Sequence, residues 1–154
     1  MILLPTILLP TIFLPKLIAN AINPLSVLLL LAAPFVTPRP GSGWDSCRDF
    51  WGRCFLGIGL SVILAESGKR WEVWPGHPSF PSGHETFCLA AMTCLAVRDP
   101  RWLALGLPLS LVMAWALIAA RFHTPIEVAG ALLTGPGPAL LCQLYRIRPR
   151  RGGP

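Results

Sequence analysis

Residues 102–120 read WLALGLPLSLVMAWALIAA, an uncharged stretch with no alternation of apolar and polar positions. A helix needs about 20 apolar residues to cross the hydrocarbon core of a bilayer, and this segment has that length. Working outward from it, runs of the same character cover Ile2–Ala19, Ile22–Val36, Phe50–Ala65, Phe80–Val97 and Pro125–Leu144. Only helices and closed barrels satisfy every backbone group in lipid, and these runs lack strand alternation. They therefore predict helices.

The whole chain agrees. Of its 154 residues 53% are apolar and 13% charged, against roughly 25% charged in a soluble domain. That excludes a disordered chain, which needs low hydrophobicity, and leaves no room for a soluble second domain. The expectation is an all-α integral membrane bundle of about six transmembrane helices. A hydrophobic segment, residues 1–21, comes first. A single bundle over residues 22–145 follows, and residues 146–154 form a basic cytoplasmic tail.

The first run repeats Leu-Leu-Pro-Thr-Ile, with Pro5, Pro10 and Pro15 evenly spaced. Proline inside a helix removes a hydrogen bond and kinks it. The run also lacks the basic n-region of a signal peptide. It fits a kinked first span, an interfacial segment or a misassigned start, with the span favoured.

The net charge is +6. The basic residues fall between the runs, which fits membrane orientation rather than nucleic-acid binding. Arg39, Arg48, Arg53, Arg98, Arg101, Arg146, Arg148, Arg150 and Arg151 fall on one side of an alternating path, expected to be cytoplasmic. Lys16, Lys69, Arg70 and Arg121 fall on the other. Trp44, Trp51, Trp71, Trp74 and Trp102 lie near span ends, as interfacial aromatics do. Cys47, Cys54, Cys88, Cys94 and Cys142 form no CxxC pair, and packing as small apolar residues is expected of them.

The chemistry collects on the second side, which holds all three histidines. Pro81-Ser82-Gly83-His84 precedes an apolar helix, whose free N–H groups and positive dipole end make an anion site. Gly83 permits close approach to the backbone, and His84 supplies a proton donor. Ser82 and Glu85 also fit a capping box, a purely structural purpose that leaves His84 free. Thr124 and Glu127 form a second such pair, with Pro125 at the favoured first helical position. His123 stands just before that helix, and Glu127 is placed to hold one of its nitrogens and free the other as nucleophile or base. Lysine and arginine clamp phosphoryl oxygens while one histidine attacks and another protonates the leaving group. That set needs no metal. There is no HExxH, and the adjacent His84 and Glu85 point apart on a helix.

These residues resemble the type 2 phosphatidic acid phosphatase family, which shares its pocket with vanadium haloperoxidases. The family's PSGH motif is matched in full by Pro81–His84. Its histidine motif, H-x-x-x-D followed by Val and Gly, is matched by His123, Glu127, Val128 and Gly130, with Glu replacing Asp. The likeness covers residues 67–135. It implies that His123 forms a phosphohistidine, that Glu127 orients it and that His84 is the general acid. Ser82 and Gly83 would bind phosphate oxygens. The substrate would be a lipid phosphate or an isoprenoid diphosphate, with no cofactor, no metal and no nucleic-acid partner. The expected setting is a bacterial inner membrane, with the site on the non-cytoplasmic face. The chain departs from the pattern at the cations. Ser67 and Trp74 stand where the family has Lys and Arg, and Leu117 stands where it has a further Arg. Lys69, Arg70 and Arg121 lie close by and are the expected replacements. A relative that binds anionic headgroups without turnover is the alternative, and a small metal-dependent membrane hydrolase is a third reading.

Overall fold

The computed structural model describes residues 8–38 and 43–145, with side chains from residue 13 onward. Six α-helices follow in order: α1 (Leu8–Val36), α2 (Trp44–Arg70), α3 (Gly83–Arg98), α4 (Leu103–Ala119), α5 (Pro125–Thr134) and α6 (Pro136–Leu144). One turn of 3₁₀ helix, Pro100–Trp102, leads into α4. Among the described residues there is no strand.

The expected six spans are not what the helices trace. The described part of the first run and the whole of the second form one helix, α1, 29 residues long and so about 44 Å from end to end; Pro5 of the repeat lies outside the described residues. Asn20 and Ala21 between the runs are compatible with a helix, and α1 carries Pro15, Pro24 and Pro34 inside it. A proline at position i leaves the carbonyl of residue i−4 without its donor. For Pro34 that carbonyl belongs to Leu30, and the Trp51 indole of α2 donates to it at 3.1 Å. The neighbouring helix thus supplies the bond the proline removes. Lys16, expected on the side of Lys69, Arg70 and Arg121, is an exposed residue of α1, with its ammonium 5.7 Å from the centre of the Phe122 ring.

The expected run at Phe80–Val97 also shortens. Pro81 and the Ser82 cap hold off the helix until Gly83, and α3 has 16 residues. Its length is about 24 Å, below the roughly 30 Å of a hydrocarbon core. Four stretches are long and apolar enough to cross a membrane: Phe13–Val36, Trp44–Arg70, Pro100–Ala119 and Pro125–Leu144. The last is α5 and α6 in succession, broken at Gly135, whose carbonyl accepts from the Ser61 hydroxyl at 2.8 Å.

α3 is the central rod and packs against every other helix. Its Cys88, Ala90, Ala91, Cys94 and Leu95 are fully buried, with Leu30, Cys54, Met113 and Leu117 around them. The cysteines are free, and four of the five are buried. Outward, Phe13, Leu28, Ile63, Leu111, Leu133 and Leu141 are more than half exposed. A water-soluble bundle places polar side chains on that face; a lipid-facing one does not. Residue 130 has room only for glycine, since a Cβ there would lie 2.3 Å from the Phe80 ring.

The bundle has two different ends. At one, the guanidinium of the buried Arg98 donates to the Thr37 carbonyl at 3.0 Å and the Pro34 carbonyl at 3.4 Å, over the Phe50 ring. These are the last carbonyls of α1, which have no partner within their own helix. At the other end lie Lys16, Lys69 and the three histidines. Alternation therefore separates the residues as their spacing predicts. Arg39 and the arginines of the tail lie outside the described residues.

Candidate active site

Three helix ends build the site. The first is the last turn of α2, which carries Lys69 and Arg70. The chain then turns through Glu72 and Gly76, both in the left-handed region at φ 47° and 81°. It reaches His77, whose N–H donates to the Trp74 carbonyl at 3.1 Å.

The second is the start of α3. Ser82 caps it, its hydroxyl oxygen accepting from the Glu85 N–H at 3.4 Å. Ser82 is fully buried, so its hydroxyl serves the helix. The return half of the expected capping box does not form: Glu85 is buried, and its Oε2 has no hydrogen-bond partner. Gly83 lies against the α2 end. A Cβ there would be 3.0 Å from Glu66 Oε1 and 3.2 Å from Lys69 Nζ. The Lys69 ammonium donates to Glu66 at 2.6 Å. His84, one residue on, is exposed.

The third is the start of α5. α4 ends in a turn with Arg121 in the left-handed region at φ 58°, and both Phe122 and His123 donate their N–H groups to the Leu117 carbonyl. Thr124 and Glu127 then form a complete capping box around Pro125. The Glu127 carboxylate is buried and accepts from the Thr124 N–H at 2.9 Å. The same oxygen lies 3.3 Å from His123 Nδ1. That contact fixes the His123 tautomer with its proton on Nδ1 and leaves Nε2 unprotonated. A backbone bond joins the second and third parts: the Ser82 N–H donates to the Glu127 carbonyl at 2.8 Å.

Burial is the largest influence on the His123 proton and holds its pKa below the ordinary histidine value. Lys69 and His84 push in the same direction, while Glu127 opposes them. At neutral pH the imidazole is uncharged, with a lone pair to offer.

His123 meets Glu127 directly and Gly83 lies against Lys69, while the Ser82–Glu127 backbone bond sets the first turn of α3, which carries His84, beside the start of α5. Arg70 and Arg121 are exposed and form no ion pair among the described residues. Two residues that sequence reasoning left out of the site belong beside it. Glu66 partners Lys69, and its position one helical turn earlier was the available signal. His77 approaches Thr124 Oγ1 at 3.2 Å and Glu127 Oε1 at 3.8 Å; the concentration of all three histidines at this end was the only sign of it. His77 and His123 address different oxygens of one carboxylate. Among the described residues no three His, Cys, Asp or Glu side chains surround a common point as metal ligands do.

Comparison with protein-family profiles, with curated proteins and with solved structures finds no match. The described chain is all-helical with four helices long and apolar enough to cross a membrane, an architecture compatible with a helical membrane protein.

Proposed function

We propose that this chain is a membrane-embedded, metal-independent phosphatase. Its substrate would be a lipid phosphate or an isoprenoid diphosphate, and its intermediate a phosphohistidine. The supporting observation is the neutral His123 imidazole, held by Glu127 at 3.3 Å. It stands near Lys69 and the first turn of α3. Nε2 of His123 attacks phosphorus, and the P–O bond to the lipid breaks. Lys69 and the free N–H groups at the start of α3 hold the phosphoryl oxygens. His84 gives its proton to the departing oxygen. Water then attacks the phosphohistidine, His84 takes the water's proton, and inorganic phosphate leaves. On this reading the Arg98 end faces the cytoplasm and the histidine end faces the non-cytoplasmic side of a bacterial inner membrane. α3 supplies a fifth, shorter crossing.

One observation favours the alternative of headgroup binding without turnover. Lys69 is bonded to Glu66 at 2.6 Å, while Arg70 and Arg121 stand at the exposed rim. Each oxyanion donor is commonly worth about 10²–10³-fold in rate, so the supply of cations decides between the readings.

The test offers detergent-solubilised protein phosphatidic acid, diacylglycerol pyrophosphate and an isoprenyl diphosphate, with and without EDTA and vanadate. Phosphate release that is insensitive to EDTA, inhibited by vanadate and lost in His123→Ala is expected. Headgroup binding with no release on any substrate sinks the catalytic reading, and loss of activity in EDTA replaces it with metal chemistry.

A further inference from the structure

The proposed reaction uses His84, His123 and Glu127, and leaves the third histidine unused. His77 is firmly placed for a loop residue. Its N–H donates to the Trp74 carbonyl at 3.1 Å, and its own carbonyl accepts from the Phe80 N–H at 3.0 Å. Its side chain is 30% exposed, against 7% for the Glu127 carboxylate it faces. Nδ1 of His77 lies 3.2 Å from Thr124 Oγ1 and 3.8 Å from Glu127 Oε1. The other carboxylate oxygen serves His123 and the Thr124 N–H. One buried negative charge thus stands between two imidazoles.

We propose that His77 is a positioning residue for His123, acting through Thr124 and Glu127, and that its protonation state sets how tightly Glu127 holds the His123 proton. The consequence for turnover rests on the phosphatase reading; the coupling between the imidazoles does not.

The physical basis is the single charge of the carboxylate. When His77 is neutral with its proton on Nε2, its Nδ1 lone pair accepts from the Thr124 hydroxyl. The field of Glu127 is then available to His123. When His77 is protonated, Nδ1–H donates to Thr124 Oγ1, and a cation stands 3.8 Å from Oε1. That cation offsets part of the field of Glu127, and the proton on His123 is released more readily. The two imidazoles address opposite oxygens of one carboxylate, so protonation of one alters the field felt by the other. Other charges face His123 as well. Lys69 with its partner Glu66 comes from α2, and His84 from α3. Arg121 lies two residues away in the chain, and Lys16 of α1 stands over the neighbouring Phe122. Facing His77 are Thr124 and Glu127 from α5, with the exposed Glu72 on its own loop. All of these survive replacement of His77, so a difference on replacement reports His77 itself.

The experiment titrates the full-length protein in detergent micelles by NMR, with isotope-labelled histidine, for wild type, His77→Asn and His77→Phe. Three histidines give three resolvable curves. In both variants His123 should titrate at a higher pH than in wild type, by about half a pH unit given screening at a part-exposed site. In wild type its curve should broaden across the midpoint of His77, a readout that needs no variant. The acid limb of kcat/KM should move upward by the same amount. His77→Asn, which keeps a hydrogen-bonding group for Thr124, should retain more of the plateau rate than His77→Phe. An unmoved His123 midpoint in folded variants, together with an unbroadened wild-type curve, overturns the role of His77 even if the protein is an active phosphatase. Absence of turnover on every substrate removes the phosphatase reading, and the NMR midpoints still decide the coupling.

Discussion

Replacing Glu127 by glutamine separates the charge of this residue from its shape. The glutamine oxygen can still accept from the Thr124 N–H, now at 2.9 Å, and from His123 Nδ1, now at 3.3 Å. Its amide nitrogen turns to the side of His77. The capping geometry persists and the negative charge is gone. Hydrogen bonds to charged groups contribute about 1.5–3 kcal/mol and neutral ones about 0.5–1.5. The contact of 3.3 Å is longer than the usual N–H···O distance, which puts the loss near the low end, about 1–1.5 kcal/mol. That is roughly a tenfold fall in kcat, because Glu127 acts on the positive charge that His123 develops during attack. KM should change little, since Glu127 does not face the lipid. His123→Ala removes the attacking nitrogen and should abolish turnover. The pH dependence carries a sign as well. Glu127 raises the proton affinity of His123 against burial and the nearby cations, so its removal should move the acid limb of kcat/KM to lower pH, opposite to the shift expected for His77→Asn. The assay is phosphate release from phosphatidic acid in mixed micelles between about pH 5 and 9, the window in which histidine charge changes fall. Undiminished rates in Glu127→Gln with an unmoved acid limb, or wild-type turnover in His123→Ala, would refute the assignment.

Three further outcomes follow from the packing. Trp51→Phe leaves the Leu30 carbonyl unbonded inside the bundle and should cost about 1–3 kcal/mol, read as lost thermal stability in detergent; the cost should shrink in a Pro34→Ala background, where residue 34 regains its N–H, and equal costs in both backgrounds would disprove the link. Gly130→Ala drives a methyl group to 2.3 Å from the Phe80 ring and should destabilise by about 1–3 kcal/mol, while Ala129→Gly, at the exposed neighbouring position, should cost only the helix propensity difference of about 1 kcal/mol. The third concerns acid stability. The folded chain binds the His123 proton more weakly than the unfolded chain, so stability is fully present above the ordinary value of 6.5 and is lost as pH falls through the lower folded value. Melting temperatures of wild type should therefore drop more steeply on acidification than those of His123→Asn, and parallel curves would contradict the burial of a neutral imidazole.

Much of the site follows from rules that act over one helical turn. Thr124, Pro125 and Glu127 specify a helix start by their spacing alone, and the same spacing delivers the carboxylate to His123 four residues earlier. The two ends separate because Arg98 closes α3 while the histidines lie at or before the starts of α3 and α5. The rest depends on contacts between distant parts of the chain. At Pro34, α2 supplies α1 with a donor that no local pattern announces. Ser82 and Glu85 have the letters of a capping box, yet the carboxylate turns inward, because the choice between a cap and the bundle interior is made by tertiary packing. His77 meets Thr124 across a sequence separation of 47 residues and Glu127 three residues beyond it, and nothing in its own neighbours points there.

The helix ends also explain how the site keeps its charges in place without a ligand. Lys69 lies in the last turn of α2, where a cation is stabilised by the negative end of the helix, and Glu66 one turn earlier completes its neutralisation at 2.6 Å. The start of α3 presents its positive end to the same space, with Gly83 close to both members of that pair. A carboxylate held by a lysine therefore lies beside the N-terminus of α3. Glu66 is 58% exposed, and an exposed pair of this kind contributes about 0.2–1 kcal/mol. On the proposed phosphatase reading, a doubly charged phosphate held at once by Lys69, the α3 N–H groups and His84 would gain more than the carboxylate does and would displace Glu66 into water. Glu85 differs in this respect, because it is buried and no ligand at the surface can reach it without breaking the first turn of α3.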